Sequence, residues 1–203
     1  MNFLAHFYLS QTDQAIIQGN FLGDFVKGTN LDEFPNSIQN GIRFHRFIDH
    51  TMDVFPHHEH MKQILRDQLG KYAPVGMDLV FDRVLAMNWR DYSQQRIEDF
   101  EMSIFNVLSR CQVAIPPDAE MVFQAMQKGK WMSRNANLDG FARSCYGLSK
   151  RVKYESGLEG LPDLFVRNSE LFEDAFKRFF PHMVWTCFEK YASFVRVDPL
   201  GKT

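Results

Sequence analysis

The sequence predicts an all-α fold, a single-domain helical bundle over residues 1–203. Three observations carry this prediction. Apolar residues return every three or four positions in one segment after another, which is the spacing of a buried helix face. No segment alternates apolar and polar residues over the length of a strand. The 20 phenylalanines follow the same helical periods, so they read as core packing and not as a platform for stacking bases.

Residues 2–10 (NFLAHFYLS) are the first apolar segment, with His6 in its midst. Asp13 opens a second through Ile16, Ile17, Asn20, Phe21 and Asp24, with Gly28 as its expected stop. A loop containing Pro35 leads to the helix around which the chain is organised, GIRFHRFIDHTMD at residues 41–53. There Ile38, Gly41, Ile42, His45, Ile48, Asp49 and Met52 share one face, and Arg43, Arg46, His50 and Asp53 share another. Pro56 breaks this helix, and a short one is expected over 59–69. Residues 74–91 are again helical, with Asp78, Phe81, Asp82, Leu85 and Trp89 on one side. Another helix is expected over 98–111, followed by Pro116-Pro117, with Asp118 as the cap of the next. Residues 135–148 are helical and 150–162 read as a loop. The longest periodic stretch, from Leu164 to Phe188, is expected to kink at Pro181.

A formal net charge of -2 gives no sign of a nucleic-acid binder, which would ordinarily be basic. Cys111, Cys145 and Cys187 are far apart and form no CxxC pair, so neither a disulfide framework nor a zinc site is expected, and the pattern suits a reducing cytoplasm. The N-terminus lacks a basic n-region and carries a histidine within its apolar run, unlike a signal peptide. No apolar run approaches the roughly 20 residues of a membrane span. The expectation is a cytoplasmic protein with neither a nucleic-acid nor a membrane partner.

There is no glycine-rich phosphate loop, no GxSxG and no HExxH. What remains is a set of histidines and aspartates within apolar helical patterns: His6, Asp24, His45, Asp49, Asp78 and Asp82. Two helices each turn a one-turn pair inward, His45 with Asp49 and Asp78 with Asp82. Burying such groups without partners costs roughly 2–7 kcal/mol even for a neutral polar group. A divalent metal, a salt bridge or a hydrogen-bond network can each supply the partner. An oxygen-rich set with imidazoles suits Mn2+ or Mg2+, with Fe2+ also compatible. Such an ion polarises a phosphoryl oxygen and activates a bound water. Each residue also has a plain structural reading: His6 as a hydrogen-bonded core histidine, Asp24 paired with Lys27, Asp82 with Arg83 or Arg43, and Asp78 as a first-turn acid. FPHHEH, with His57, His58, Glu59 and His60, ranks lower as a metal site. It follows Pro56 without an apolar frame and reads as surface display.

Four motifs in order, MNFLAHFYLS, GNFLGDFVKG, GIRFHRFIDHTMD and the DLVFDxxLAxxW frame at 78–89, resemble the acyl carrier protein phosphodiesterases, or ACP hydrolases. Beyond residue ninety the likeness is weaker, with Trp131 and Ser149-Lys150-Arg151 in matching places. The resemblance implies an all-α, HD-domain-like fold. It also implies a manganese- or magnesium-dependent hydrolysis of the phosphodiester joining 4'-phosphopantetheine to holo-acyl carrier protein. Carried across by motif, Asp24, His45, Asp49 and Asp82 are the expected metal ligands. His6 and Asp78 are expected as further ligands or catalytic partners, and Arg46 as a phosphate clamp. Arg43, Lys62, Arg66, Lys150, Arg151 and Lys153 are the basic residues expected to meet the acidic carrier. The chain departs from the family's usual DHFLAxHW at two places, with Arg83 and Asn88 where the family has histidines. An arginine has no lone pair to give a metal and would act on the substrate side as a fixed cation. Two alternatives follow: a member that binds the carrier or another acidic partner without turnover, or a phosphohydrolase acting on a small phosphodiester.

Overall fold

Every regular element among the described residues, 3–195 of the computed structural model, is helical. Residues 1–2 and 196–203, where the predicted domain has its ends, lie outside them, as do the side chains of His57 and Val195. The helices are α1 (Phe3–Leu9), α2 (Gln14–Leu22), α3 (Asn36–Val54), α4 (Glu59–Leu69), α5 (Ala73–Met87) and α6 (Trp89–Tyr92), then α7 (Ile97–Leu108), α8 (Pro117–Gly129), α9 (Trp131–Arg134), α10 (Leu138–Ser149), α11 (Leu161–Arg167) and α12 (Ser169–Val195). One buried apolar cluster runs from Phe3 to Cys187 and joins them. None is long and apolar enough to cross a membrane.

Several boundaries follow the local chemistry. The Asp13 carboxylate accepts the Ile16 N–H at 3.0 Å and starts α2. The Asn137 side chain does the same for Gly140 at 2.8 Å and starts α10. Others differ from expectation. α2 stops at Leu22, well before Gly28, because the chain turns at Gly23 around the His45 ring. A Cβ at Gly23 would lie 2.4 Å from that ring. α8 begins on Pro117, and Asp118 sits inside the first turn with its carboxylate on the Ala119 N–H, so the proline and not the acid marks the start. The predicted helix over 74–91 is divided at Asn88, whose side chain folds back onto the Val84 carbonyl at 3.0 Å. The C-terminal stretch is divided at Asn168, and α12 then runs through Pro181. The short α9 has no periodicity to announce it. The buried Glu101 carboxylate caps it, accepting the Met132 N–H at 2.9 Å and the Ser133 hydroxyl at 2.5 Å.

Two contacts place the site. α2 and α3 cross backbone to backbone at Gly19 and Gly41: a Cβ at Gly19 would lie 2.2 Å from the Ile38 carbonyl oxygen and 2.7 Å from the Gly41 Cα. Behind α3 and α5, the rings of Phe81, Phe176, Phe179 and Phe180 pack with centroids 4.6–5.6 Å apart and anchor α12. His58 belongs to this aromatic core. It is 1 % exposed, with its ring 4.9 Å from Phe55 and Phe179 and 5.2 Å from Phe81, which corrects the expectation of surface display at His58, while Glu59 and His60 are exposed as expected.

Candidate active site

The close crossing of α2 and α3 brings three elements to one point. His6 comes from α1, Asn20 from α2, and His45 and Asp49 from α3. His6 and His45 are 6 % and 4 % exposed, and their rings stack with centroids 4.4 Å apart. Asn20 lies between them, fully buried. Its Nδ2 donates to the His6 carbonyl at 3.0 Å, and a carbonyl can only accept, so this contact fixes the orientation of the amide. Its Oδ1 therefore accepts from both rings, from His6 Nδ1 at 2.7 Å and from His45 Nδ1 at 3.1 Å. Both imidazoles thus carry a proton on Nδ1.

The two Nε2 atoms then point at the same carboxylate. His6 Nε2 lies 3.1 Å from one Asp49 oxygen and His45 Nε2 lies 3.1 Å from the other. Asp24 stands 3.7 Å from His45 Nε2. Lone pairs of two imidazoles cannot face a carboxylate without a cation between them. Protons can serve, and then two imidazolium rings stack at 4.4 Å, a repulsion on the order of 4 kcal/mol at an effective dielectric of about 20. One divalent cation replaces both protons without that repulsion. His6, His45 and Asp49 each offer a ligand atom, all within 4.8 Å of one another, so the donor set fits such an ion. Asn20 orients both histidines from behind.

Burial works against the Asp49 carboxylate, but hydrogen bonds from His45 and His6 outweigh it and hold the group far below the usual carboxylate range. Burial would depress His6, yet the Asp49 contact more than reverses this and raises it. Asp24 is raised by burial against the pull of His45 and His6. The group opens into a cleft of about 440 Å³, and Asp49, half exposed at 54 % of its side chain, forms part of its wall rather than being buried as its helix position suggested. Asp53 and Asp78 also face the cleft, as do Lys62 and Arg66 of α4.

The other expected site residues lie elsewhere. Asp82 is buried at the head of α1, where its two oxygens accept the Leu4 and Ala5 N–H groups at 3.0 and 3.1 Å. This corrects both its assignment to the ligand group and its pairing with an arginine. Burial pushes that carboxyl up to about 7 despite these hydrogen bonds. The Arg46 guanidinium is turned to the Val26 carbonyl at 3.1 Å, and that of Arg43 to Gln39 Oε1 at 2.7 Å; neither lines the cleft. Arg83 is buried, donates to the Asn135 carbonyl at 2.6 Å and lies 5.5 Å over the Phe165 ring, so it is a structural cation away from the cleft. Lys27 reaches the Asp24 carbonyl oxygen, not its carboxylate. Arg151 lines a second pocket, and Lys150 lies over Tyr146 beside it. Asn20 was the residue missed. The signal was a polar amide on the apolar face of α2, visible in the sequence but assigned no role.

The sequence has counterparts among known proteins. The family model for acyl carrier protein phosphodiesterase matches residues 1–183. The chain belongs to that family. It is 30% identical over 190 residues to an acyl carrier protein phosphodiesterase of Escherichia coli O6:H1, covering 91% of this chain and 96% of the relative. It is 29% identical to one from Salmonella dublin and 27% identical to one from Enterobacter sp. strain 638, with the same coverage. No solved structure matches. Within this acyl carrier protein phosphodiesterase fold, the positions where the chain departs from the family pattern, Arg83 and Asn88, fall outside the cleft.

Proposed function

We propose that this protein hydrolyses the phosphodiester that joins 4'-phosphopantetheine to a serine of holo-acyl carrier protein, giving apo-carrier and free phosphopantetheine. The single observation that carries the reading is the Asn20 clamp, which aims two imidazole Nε2 atoms and the Asp49 carboxylate at one point on the cleft wall. His6, His45 and Asp49 would hold a divalent ion, with Mn2+ first and Mg2+ or Fe2+ next, and Asp24 stands close enough to assist. When bound, such an ion supplies Lewis-acid polarisation of the phosphoryl oxygen and a water of lowered pKa.

The chain's own residues account for the rest. In the hydrolysis, water oxygen joins phosphorus, the bond from phosphorus to the serine oxygen breaks, and the serine leaves with a proton. Lys62 and Arg66, both facing the cleft, meet the phosphate charge, a role the sequence had suggested for Arg46. Asp53 is raised by burial and then by the charges of Asp78 and Asp49. It lines the cleft with Asp78, which supports a role for it as the donor of a proton to the departing serine oxygen. The three cysteines are free, which supports a cytoplasmic setting.

The test is intact-mass measurement of holo-carrier after incubation with the purified protein and Mn2+. A mass loss equal to phosphopantetheine is expected; no loss with any of several divalent ions, from folded protein, would overturn the reading. A non-catalytic member was suggested by Arg83 and Asn88. Their placement away from the cleft favours the active enzyme.

A further inference from the structure

About one helical turn from the cleft along α1 and α5 lies a second pocket of about 490 Å³, walled by α8, α9 and α10. Phe3, Leu79, Met132 and Leu148 give it an apolar floor, and Trp131 stands in it between the guanidinium groups of Arg134, at 5.8 Å, and Arg151, at 5.0 Å. Lys128 and Arg143 complete the rim. We infer that this pocket is the docking surface for an acidic protein partner, one that sets an apolar side chain on the floor and carboxylates on the rim. In the reading proposed above, on which this inference rests, that partner is the carrier protein.

Charge complementarity selects the occupant. Among the described residues none of the four rim cations forms an ion pair, although the chain as a whole carries a formal charge of -2. The one acid on the pocket wall, Asp82, has both oxygens on backbone N–H groups. The cations lie close enough to oppose each other. Burial lowers the Arg134 guanidinium first, and the charges of Arg143 and Arg151 lower it further, against the pull of Glu101. Cations without an acidic counter-charge, set around an apolar centre that holds a tryptophan, have the composition of a binding site for an anionic surface, with Trp and Arg as its anchors.

The platform is rigid. Glu101 caps the helix that carries Trp131, Ser144 donates to Asn135 Oδ1 at 2.7 Å, and Arg83 holds the Asn135 carbonyl from below. The cleft offers an acidic protein no such hold, because Asp24, Asp49, Asp53 and Asp78 face it against only Lys62 and Arg66. The two sites share walls one helical turn apart: Phe3 and His6 on α1, and Asp82 and Asp78 on α5. A carrier seated at the pocket presents its prosthetic group beside the cleft.

The experiment is fluorescence anisotropy with labelled apo-carrier, which lacks phosphopantetheine and so needs no cleft. The R143E/R151E double variant is expected to weaken binding at least about tenfold, and R143K/R151K to retain it; wild-type affinity should fall steeply with added salt. K177E, on the exposed side of α12, should change it less than about twofold. Both arginines of the double variant are exposed, and its fold is to be checked by a melting curve. Wild-type-like affinity of folded R143E/R151E overturns the inference. So does an absence of carrier binding by the wild type. The hydrolase reading is judged separately: release from holo-carrier with an unchanged KM in R143E/R151E leaves it standing without this docking site. Charge-dependent binding without release does the reverse.

Discussion

The cleft and the basic pocket draw on neighbouring turns of the same two helices, yet they are built differently. In the cleft, polar groups are paired inward: two imidazoles share one amide oxygen behind and one carboxylate in front. In the pocket, Arg134 and Arg151 lie over Trp131, Arg134 also reaches the Ser144 hydroxyl, and no rim cation forms an ion pair with an acid among the described residues. Groups that satisfy one another in a buried, pre-oriented set suit the binding of an ion and chemistry upon it. Charges left without a counter-charge at a surface suit recognition, because that counter-charge must come from another molecule.

That contrast can be broken first at the cleft. His45→Ala removes one imidazole and leaves His6 and Asp49 too few ligands. Mn2+ content of the purified protein and release of phosphopantetheine should both fall by roughly 100-fold or more, read by elemental analysis and intact mass. Asn20→Ala should reduce metal affinity by about 10–100-fold in a competition titration while keeping every ligand, because it frees both rings to turn. A plain packing role for Asn20 would lower the melting temperature and leave that affinity alone.

Gly41→Ala tests the crossing that assembles the cleft. Its Cβ would meet the Gly19 Cα and the Ile16 carbonyl oxygen at 2.7 Å, so α2 and α3 must separate. A loss of about 1–3 kcal/mol, or more, is expected in denaturant unfolding, with weakened metal binding. The pocket should be unaffected, so carrier binding at fixed temperature should persist.

The pH response sharpens the same comparison. His6 has a raised folded pKa, so its protonated contact with Asp49 stabilises the metal-free protein fully below about 6.5, and that contribution is lost as pH rises through the raised value. Asp49 is depressed, so its contribution is present above its unfolded value near 3.8 and fades as pH falls below that toward the lowered one. Metal must displace the His6 proton. Its apparent affinity should therefore climb as pH rises toward the raised His6 value and level off above it, with proton release measurable by calorimetry in buffers of different ionisation heat. Binding of apo-carrier, which relies on arginines, should change little over that range.

The smallest effect is expected from restoring the family histidines. Arg83→His with Asn88→His lies outside both the cleft and the pocket lining, so turnover per bound metal should stay within about twofold of wild type. Stability should drop by roughly 1–3 kcal/mol, because the buried Asn135 carbonyl loses its donor. A rescue or large gain in turnover would mean that these positions act on the site after all.

Residue spacing was enough to declare the helical class and the inward face of His45, because a 3.6-residue period converts position directly into direction, but it could not show that Asp49 on the same face stands half exposed on the cleft wall. The motif resemblance named the family, and His6 and Asp24 were among its candidates. Period could not show which carboxylate meets which imidazole. Asp78 and Asp82 share one helix face, yet one lines the cleft and the other holds the head of α1. Arg46 and Lys62 are both cations near the site in sequence terms, and only the path of the chain separates them. Nor could it find the basic pocket, whose rim comes from α8, α9, α10 and Arg151 beyond them, elements with no common period. Direction within a helix is a local property of the backbone and is written in the sequence. Convergence between helices depends on how closely their backbones approach, and here the Gly19–Gly41 crossing decided it.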